Sequence, residues 1–281
     1  MDMRELHCLG LSQAGFHKIA YNDWGHPSNQ RVLVCAHGLT RNARDFDDLA
    51  SALYDQYRVI CFDAAGRGRS DWLANKADYN YPQYAADANA LIARTGAPVV
   101  DWLGTSMGGI LGMILAAQPN SPIRRLVIND VGSLVPKASL ERIGAYVGKS
   151  MAFENEAALV AAVKAASPFG PLTESQWTHV ATSGARRLPD GRWQFSYDPA
   201  IAEVFSKAIA ADVDLSFYWD KVTCPVLLTR GANSDLLLPE TFQAMCARPN
   251  VTGVEFADVG HAPMFMDAGQ IKVVRDFLLA A

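Results

Sequence analysis

The chain has 281 residues, of which 50% are hydrophobic and 19% are charged. This length suits one large α/β domain with an insertion or two modest domains, and the composition argues against a disordered chain. The chain has a net charge of −4 and so lacks the excess of basic residues that is typical of nucleic-acid-binding proteins. Nucleic acid is therefore not an expected partner.

The first third of the chain predicts a sheet that begins with a hairpin and continues with buried strands. Residues 6–11 and 16–24 have the pattern of two paired strands joined at 13–15. The nearly continuous apolar runs at 31–36 and 57–62 are typical of parallel strands buried on both faces. Helical periods are predicted at 45–53 and 81–94.

A G-x-S-x-G motif follows the next predicted strand. Residues 99–103 form an apolar run, Gly104-Thr105-Ser106-Met107-Gly108 follows, and 110–117 is helical in pattern. A serine on such a tight turn between a strand and a helix projects from the carboxyl edge of the sheet, and the glycines leave room for the backbone. Ser106 is therefore a candidate nucleophile, which needs a base, an acid to orient the base, and donors for an oxyanion.

The alternation of strands and helices is interrupted after the strand at 123–129, which ends at Asp130. Residues 133–217 show helical stretches, such as 140–149 and 156–166, and no buried strand pattern. We expect a helical cap at 133–217, inserted into a core domain made of 1–132 and 218–281. The cap is rich in aromatic residues, and we expect Trp177, Trp193 and Phe217 to contribute to an apolar pocket wall. Further aromatic residues in the cap or at its border include Phe169, Phe195, Tyr197, Tyr218 and Trp219.

The sheet pattern resumes after the cap. The predicted elements are a strand at 224–231, a helix at 239–246, a strand at 251–256 and an amphipathic helix at 269–279. The whole pattern predicts a mostly parallel, doubly wound α/β sheet with right-handed crossovers. Asp235 and His261 each lie in a loop that follows one of the two late strands.

Four motifs, in this order, are similar to those of the α/β-hydrolase fold superfamily. They are His37-Gly38, Gly104-Thr105-Ser106-Met107-Gly108-Gly109, Gly231-Ala232-Asn233-Ser234-Asp235 and Gly260-His261. The resemblance covers essentially the whole chain and implies a Ser106, Asp235, His261 triad in the family's order of nucleophile, acid and histidine. It also implies that the backbone N–H groups of Leu39 and Met107 bind the oxyanion.

Two assignments have alternatives that the residues alone leave open. Asp130 also lies just past a strand at the carboxyl edge, so it competes with Asp235 as the acid that orients His261. The resemblance favours Asp235, which follows the penultimate strand. His37 could be a second base, but we expect it to hold the oxyanion loop.

The motifs resemble most closely those of cap-bearing serine carboxylesterases, enol-lactonases, carbon–carbon bond hydrolases and cofactor-free haloperoxidases. We expect a serine hydrolase of small to medium carboxylic esters that forms an acyl-enzyme. The related subfamilies are alternative functions, and a ligand-binding receptor on a hydrolase fold is an alternative of a different class. Serine at the elbow argues against epoxide hydrolases and haloalkane dehalogenases, which use aspartate there.

The remaining expectations are absences. The histidines lack metal-binding spacing and the five cysteines form no CxxC pair, so we expect no metal, no cofactor and reduced thiols. Neither a signal peptide nor an apolar run of about 18 residues is evident, so we expect no membrane span and a cytoplasmic location. The oligomeric state is not predicted.

Overall fold

The computed structural model describes residues 3–149 and 151–280, and its main feature is an eight-stranded sheet. Strands are numbered along the chain, and the order across the sheet is β1-β2-β4-β3-β5-β6-β12-β13. The bounds are β1 Arg4–Ser12, β2 Gly15–Trp24, β3 Val32–Ala36, β4 Arg58–Phe62, β5 Val100–Thr105, β6 Ile123–Asn129, β12 Val226–Gly231 and β13 Val251–Phe256. β1 and β2 are antiparallel to their neighbours, and all the other pairs are parallel. The predicted mostly parallel sheet with helices on both faces is confirmed.

Helices cover both faces of this sheet because successive strand side chains point to opposite faces. In β3, Val34 packs into the same cluster as Leu91 and Leu111, whereas Cys35 packs on the other face with Leu53. The helices of the first face include α2 Tyr81–Thr95, α3 Met107–Ala116, α8 Ser216–Trp219 and α9 Pro239–Cys246. The helices of the second face include α1 Asp47–Leu53 and α10 Ala268–Leu279.

Residues 133–217, called the inserted segment below, lie outside the eight-stranded sheet. Their helices are α4 Lys137–Gly144, α5 Glu156–Ala166, α6 Glu174–Ser183 and α7 Ile201–Ala208. The short strands β8 Ala152–Phe153, β9 Ala185–Arg187 and β10 Trp193–Phe195 form a separate small sheet, and β7 Leu134–Val135 pairs with β11 Val213–Asp214. The expectation of helices alone in this segment is therefore wrong, because strands of two or three residues are too short to show an alternating pattern. The helix expected at 140–149 ends at Gly144 instead.

Hydrogen bonds attach the inserted segment to loops at the carboxyl ends of the parallel strands. Arg41, in the loop after β3, donates from Nη2 to the carbonyl of Val180 at 2.9 Å. After β13, the backbone N–H of Gly260 donates to the carbonyl of Pro168 at 2.7 Å. The segment therefore lies over the sheet edge at which open α/β sheets bind ligands.

Candidate active site

Ser106 occupies a strained turn between β5 and α3. Its φ of +54° lies in the left-handed region, which residues with a side chain rarely adopt. The flanking glycines are required by close approach: a Cβ at Gly104 would lie 2.0 Å from the carbonyl oxygen of Gly108, and one at Gly108 would lie 2.0 Å from that of Ala36. The G-x-S-x-G spacing thus produces a sharp elbow, and the serine lines a cleft.

His261 links Ser106 to a carboxylate. Its Nε2 lies 3.0 Å from Ser106 Oγ, and its Nδ1 lies 2.9 Å from Oδ2 of Asp130. Because an ionised carboxylate only accepts hydrogen bonds, the Nδ1–H donates to Asp130 and Nε2 is left to accept from the serine hydroxyl. This is the arrangement of nucleophile, base and orienting acid that a serine hydrolase requires.

The structure places Asp130, and not Asp235, beside His261. The expectation that Asp235 orients His261 is therefore corrected in favour of Asp130. Asp130 is fully buried, and its Oδ1 accepts a hydrogen bond from the backbone N–H of Gly231 at 3.1 Å. The carboxylate of Asp235 is instead ion-paired with Arg142 of the inserted segment, with 47% of its side chain exposed. β6 and β12 are neighbours in the sheet, so each aspartate follows a strand that ends near His261. Asp130, the first residue after β6, has a φ of +57°.

The expected oxyanion donors come from two places in the chain, the residue after Ser106 and the loop after β3. Met107 is the first residue of α3, where a helical N–H has no acceptor within its own helix. Leu39 lines the cleft beside Gly38, and its carbonyl accepts a hydrogen bond from Arg67 Nε at 2.8 Å. The buried guanidinium of Arg67 thereby holds the loop that carries the second expected donor.

His37 is fixed as a structural residue by two hydrogen bonds. The backbone N–H of Ala64 donates to its Nε2 at 3.0 Å, so Nδ1 carries the proton and donates to the carbonyl of Gly38 at 2.7 Å. Burial, together with the positive charges of Arg67 and Arg41, lowers the pKa of His37 to about 3, against the opposing effect of the hydrogen bond to Gly38. A neutral ring with both nitrogens engaged holds the loop between β3 and α1 and has no free nitrogen for proton transfer.

The low pKa of His37 predicts a loss of stability in acid. Below the unfolded-state pKa of about 6.5 the unfolded chain takes up a proton that the folded chain binds only near pH 3, so stability falls as the pH falls through this window. Each pH unit should cost up to about 1.4 kcal/mol. In His37→Gln, an amide can replace both hydrogen bonds and does not titrate. Urea unfolding between pH 7.5 and 4.5 should therefore show a shallower decline for the variant, and parallel curves would contradict this assignment.

The cleft above Ser106 and His261 has a volume of about 180 Å³. The core contributes Gly38, Leu39 and the two catalytic candidates to its lining. The inserted segment contributes mainly hydrophobic and aromatic side chains, among them Ile143, Tyr146, Phe169, Phe195 and Tyr197. The cleft is thus closed on one side by residues from the segment that the sequence predicts to be a cap.

None of the three aromatic residues expected in the pocket wall lines this cleft in the described part of the chain, so that expectation is corrected. Trp177 is 5% exposed and stacks behind Phe169, with ring centroids 6.0 Å apart. Trp193 is partly buried and packs against the hydrophobic cluster that contains Trp177. Phe217 is 66% exposed, beside the ammonium group of Lys221. Aromatic composition identified the correct segment but not the side chains that face the cleft.

Over residues 3–149 and 151–280, the structure contains no group of three or more His, Cys, Asp or Glu side chains that could hold a metal ion. Within the same ranges, no helix combines the length and the apolar character needed to cross a bilayer. The five cysteines are free thiols. Burial raises the pKa of the Cys61 thiol, which lies next to Cys35 in the sheet.

Comparison with known proteins shows the family to which the chain belongs. Residues 33–272 match the model of the alpha/beta hydrolase family. The chain is 48% identical to the 3-hydroxybutyrate-oligomer hydrolase of Cupriavidus necator over 96% of each sequence. A solved structure of an alpha/beta hydrolase from Novosphingobium aromaticivorans matches with a TM-score of 0.89 and 34% identity over 99% of each chain. A Rickettsia typhi structure matches with a TM-score of 0.91 and 32% identity, again over 99% of each chain. The chain therefore belongs to the α/β-hydrolase family and is a hydrolase.

Proposed function

We propose that the protein hydrolyses carboxylic ester bonds through an acyl-enzyme on Ser106. The observation that carries this proposal is the hydrogen-bonded series Ser106 Oγ, His261 Nε2, His261 Nδ1 and Asp130 Oδ2, with separations of 3.0 and 2.9 Å. These separations are within the reach required for proton transfer from a nucleophile to a general base.

Each of these residues has one step in the proposed mechanism. His261 takes the proton of Ser106 as Oγ attacks the ester carbonyl, and Asp130 stabilises the imidazolium that forms. The N–H groups of Leu39 and Met107 bind the oxyanion, and losing one such donor typically costs about 3 kcal/mol of transition-state stabilisation. His261 then protonates the departing alkoxide. In the second half, it takes a proton from water, which attacks the acyl-enzyme, and it returns that proton to Ser106 as the acid is released.

The inserted segment acts, in this proposal, as a cap that selects the substrate. A cleft of about 180 Å³ is smaller than a typical drug-sized site and suits short ester units. The relative from Cupriavidus necator is a 3-hydroxybutyrate-oligomer hydrolase, and its identity of 48% extends over nearly the whole chain. We therefore assign short linear oligomers of 3-hydroxybutyrate as the substrate class.

Two measurements test the proposal. The purified enzyme should convert 3-hydroxybutyrate trimers to dimer and monomer, and mass spectrometry would detect these products. A serine-directed phosphonate should abolish this activity and add its mass to the peptide that contains Ser106. Labelling at another serine would contradict the mechanism. Labelling at Ser106 without oligomer hydrolysis would contradict the substrate class alone.

A further inference from the structure

A second cavity adjoins the catalytic cleft. It has a volume of about 240 Å³. Four residues line both spaces: Lys149, Met151, Phe195 and Tyr197. The second cavity, called the outer chamber below, also has Trp72 and Arg186 in its wall. Because the two spaces share these four side chains, the outer chamber lies directly beside the cleft, within reach of a chain-like ligand bound there.

The outer chamber carries positive charge that the described residues do not neutralise. Lys149 and Arg186 line it, no aspartate or glutamate does so, and neither cation has a carboxylate partner in residues 3–149 and 151–280. Arg186 is held by other groups: its Nη2 donates to Gln194 Oε1 at 3.0 Å, and its guanidinium lies 5.3 Å from the centroid of the Trp72 ring.

Three other charged groups near the two cavities already have partners of opposite charge. In the catalytic cleft, Arg41 is paired with Asp45, and Arg142 is paired with Asp235. Asp198, which precedes the lining residue Pro199, is buried and accepts hydrogen bonds from Lys76 Nζ and from a tyrosine hydroxyl. In a protein of net charge −4, two unneutralised cations around one cavity form a local site for an anion.

We propose that the outer chamber binds the terminal carboxylate of the substrate, on the side of the leaving-group alcohol. This inference rests on the proposed function. In a linear hydroxyalkanoate oligomer, the alcohol side of every ester bond leads to the single free carboxylate. With the scissile carbonyl at Ser106, the alcohol portion extends past Phe195 and Tyr197 toward Lys149 and Arg186. His261 protonates the departing alkoxide, so the first product is a free hydroxy acid whose carboxylate stays paired in the outer chamber.

The test compares a 3-hydroxybutyrate trimer that has a free carboxylate with the methyl ester of the same trimer. Wild-type enzyme should prefer the free acid, and added salt should weaken this preference because it screens the attraction. Lys149→Gln and Arg186→Gln should each lower the acid-to-methyl-ester ratio of kcat/KM by about tenfold, mainly through a higher KM for the acid, as expected for a charged hydrogen bond.

Arg187→Gln is the matched control. Arg187 follows Arg186 in β9, and successive strand side chains point to opposite faces, so its loss removes the same charge outside the outer chamber. This variant should keep the wild-type ratio.

An unchanged ratio in both Lys149→Gln and Arg186→Gln, or an equal change in Arg187→Gln, would overturn the proposal. Equal losses on the acid and on the methyl ester would also overturn it, since they would indicate a structural role. Failure of the proposed function would be visible separately, as an absence of phosphonate labelling at Ser106. If Ser106 is labelled and the enzyme cleaves the methyl ester as well as the acid, the function stands and the carboxylate site does not.

Discussion

Ser106→Ala should lower kcat for ester hydrolysis by about four to six orders of magnitude, because removing the nucleophile removes the chemistry of the whole triad. The small residual rate comes from oxyanion donors and binding. Alanine has no hydroxyl group to donate a proton to Nε2 of His261, but it leaves the backbone of the elbow and the crowded glycines at 104 and 108 in place. The melting temperature and circular dichroism should therefore stay close to those of the wild type.

Ser175→Ala is the control for this variant. Ser175 lies on α6, exposed to solvent, and its hydroxyl contacts that of Thr173. It should retain full activity and full phosphonate labelling. If Ser106→Ala kept more than about 1% of the wild-type rate, the nucleophile would have to be another residue.

Asp130→Asn should lower kcat by about four orders of magnitude. An asparagine keeps the shape of the side chain but its amide stabilises the wrong imidazole tautomer, and the same substitution in a serine-protease triad had an effect of this size. The buried position of Asp130 makes the effect large, since no water is available to replace the lost charge near His261. Initial rates on a neutral ester across pH 6 to 9 would measure it.

Asp235→Asn is the matched comparison, because it makes the same chemical change on the neighbouring strand end. Its carboxylate is paired with Arg142 at the protein surface, and an exposed pair contributes at most about 1 kcal/mol. We expect a loss of less than tenfold. A larger loss for Asp235→Asn than for Asp130→Asn would return the orienting role to Asp235.

The elbow at Ser106 and the sheet could be predicted from the sequence because their signals are local. The glycines around Ser106 are required by backbone atoms within a few residues or on the adjacent strand, and the continuous apolar runs of β3 and β4 are typical of buried parallel strands. The helix at Pro239–Cys246 and the strand at Val251–Phe256 begin and end as expected. Strong periodicity and turn chemistry within one element thus defined most of the core.

The choice between Asp130 and Asp235 depended on information that no single element contains. Both aspartates follow strands that end at the carboxyl edge of the sheet, and these two strands, β6 and β12, are adjacent. The two aspartates differ in their partners. Asp130 contacts His261, whereas the carboxylate of Asp235 is paired with Arg142, which lies 93 residues away in the chain. The distance along the chain to the competing partner explains why sequence patterns favoured the wrong aspartate.

The pocket wall was unpredictable for a similar reason. Phe169 and Trp177 stack on each other, yet one lines the cleft and the other is buried behind it. Which of two stacked rings faces a ligand depends on how the inserted segment lies on the core, and short strands such as β8 and β10 help to set that placement. Neither feature leaves a periodic pattern in the sequence.

The pairing of β7 with β11 has a consequence for how this enzyme family can diversify. Val135 lies opposite Val213, and the backbone N–H of Leu215 donates to the carbonyl of Ser133 at 2.7 Å, so the chain leaves the core and returns to it at one place. Everything between these two points can lengthen, shorten or be exchanged without moving the ends of β6 or α8, and the entropy of closing a longer loop grows only slowly with its length. Insertions or deletions in the inserted segment can therefore change the lining of the cleft, while the candidate catalytic residues Ser106, Asp130 and His261 lie on the other part of the chain and keep their positions.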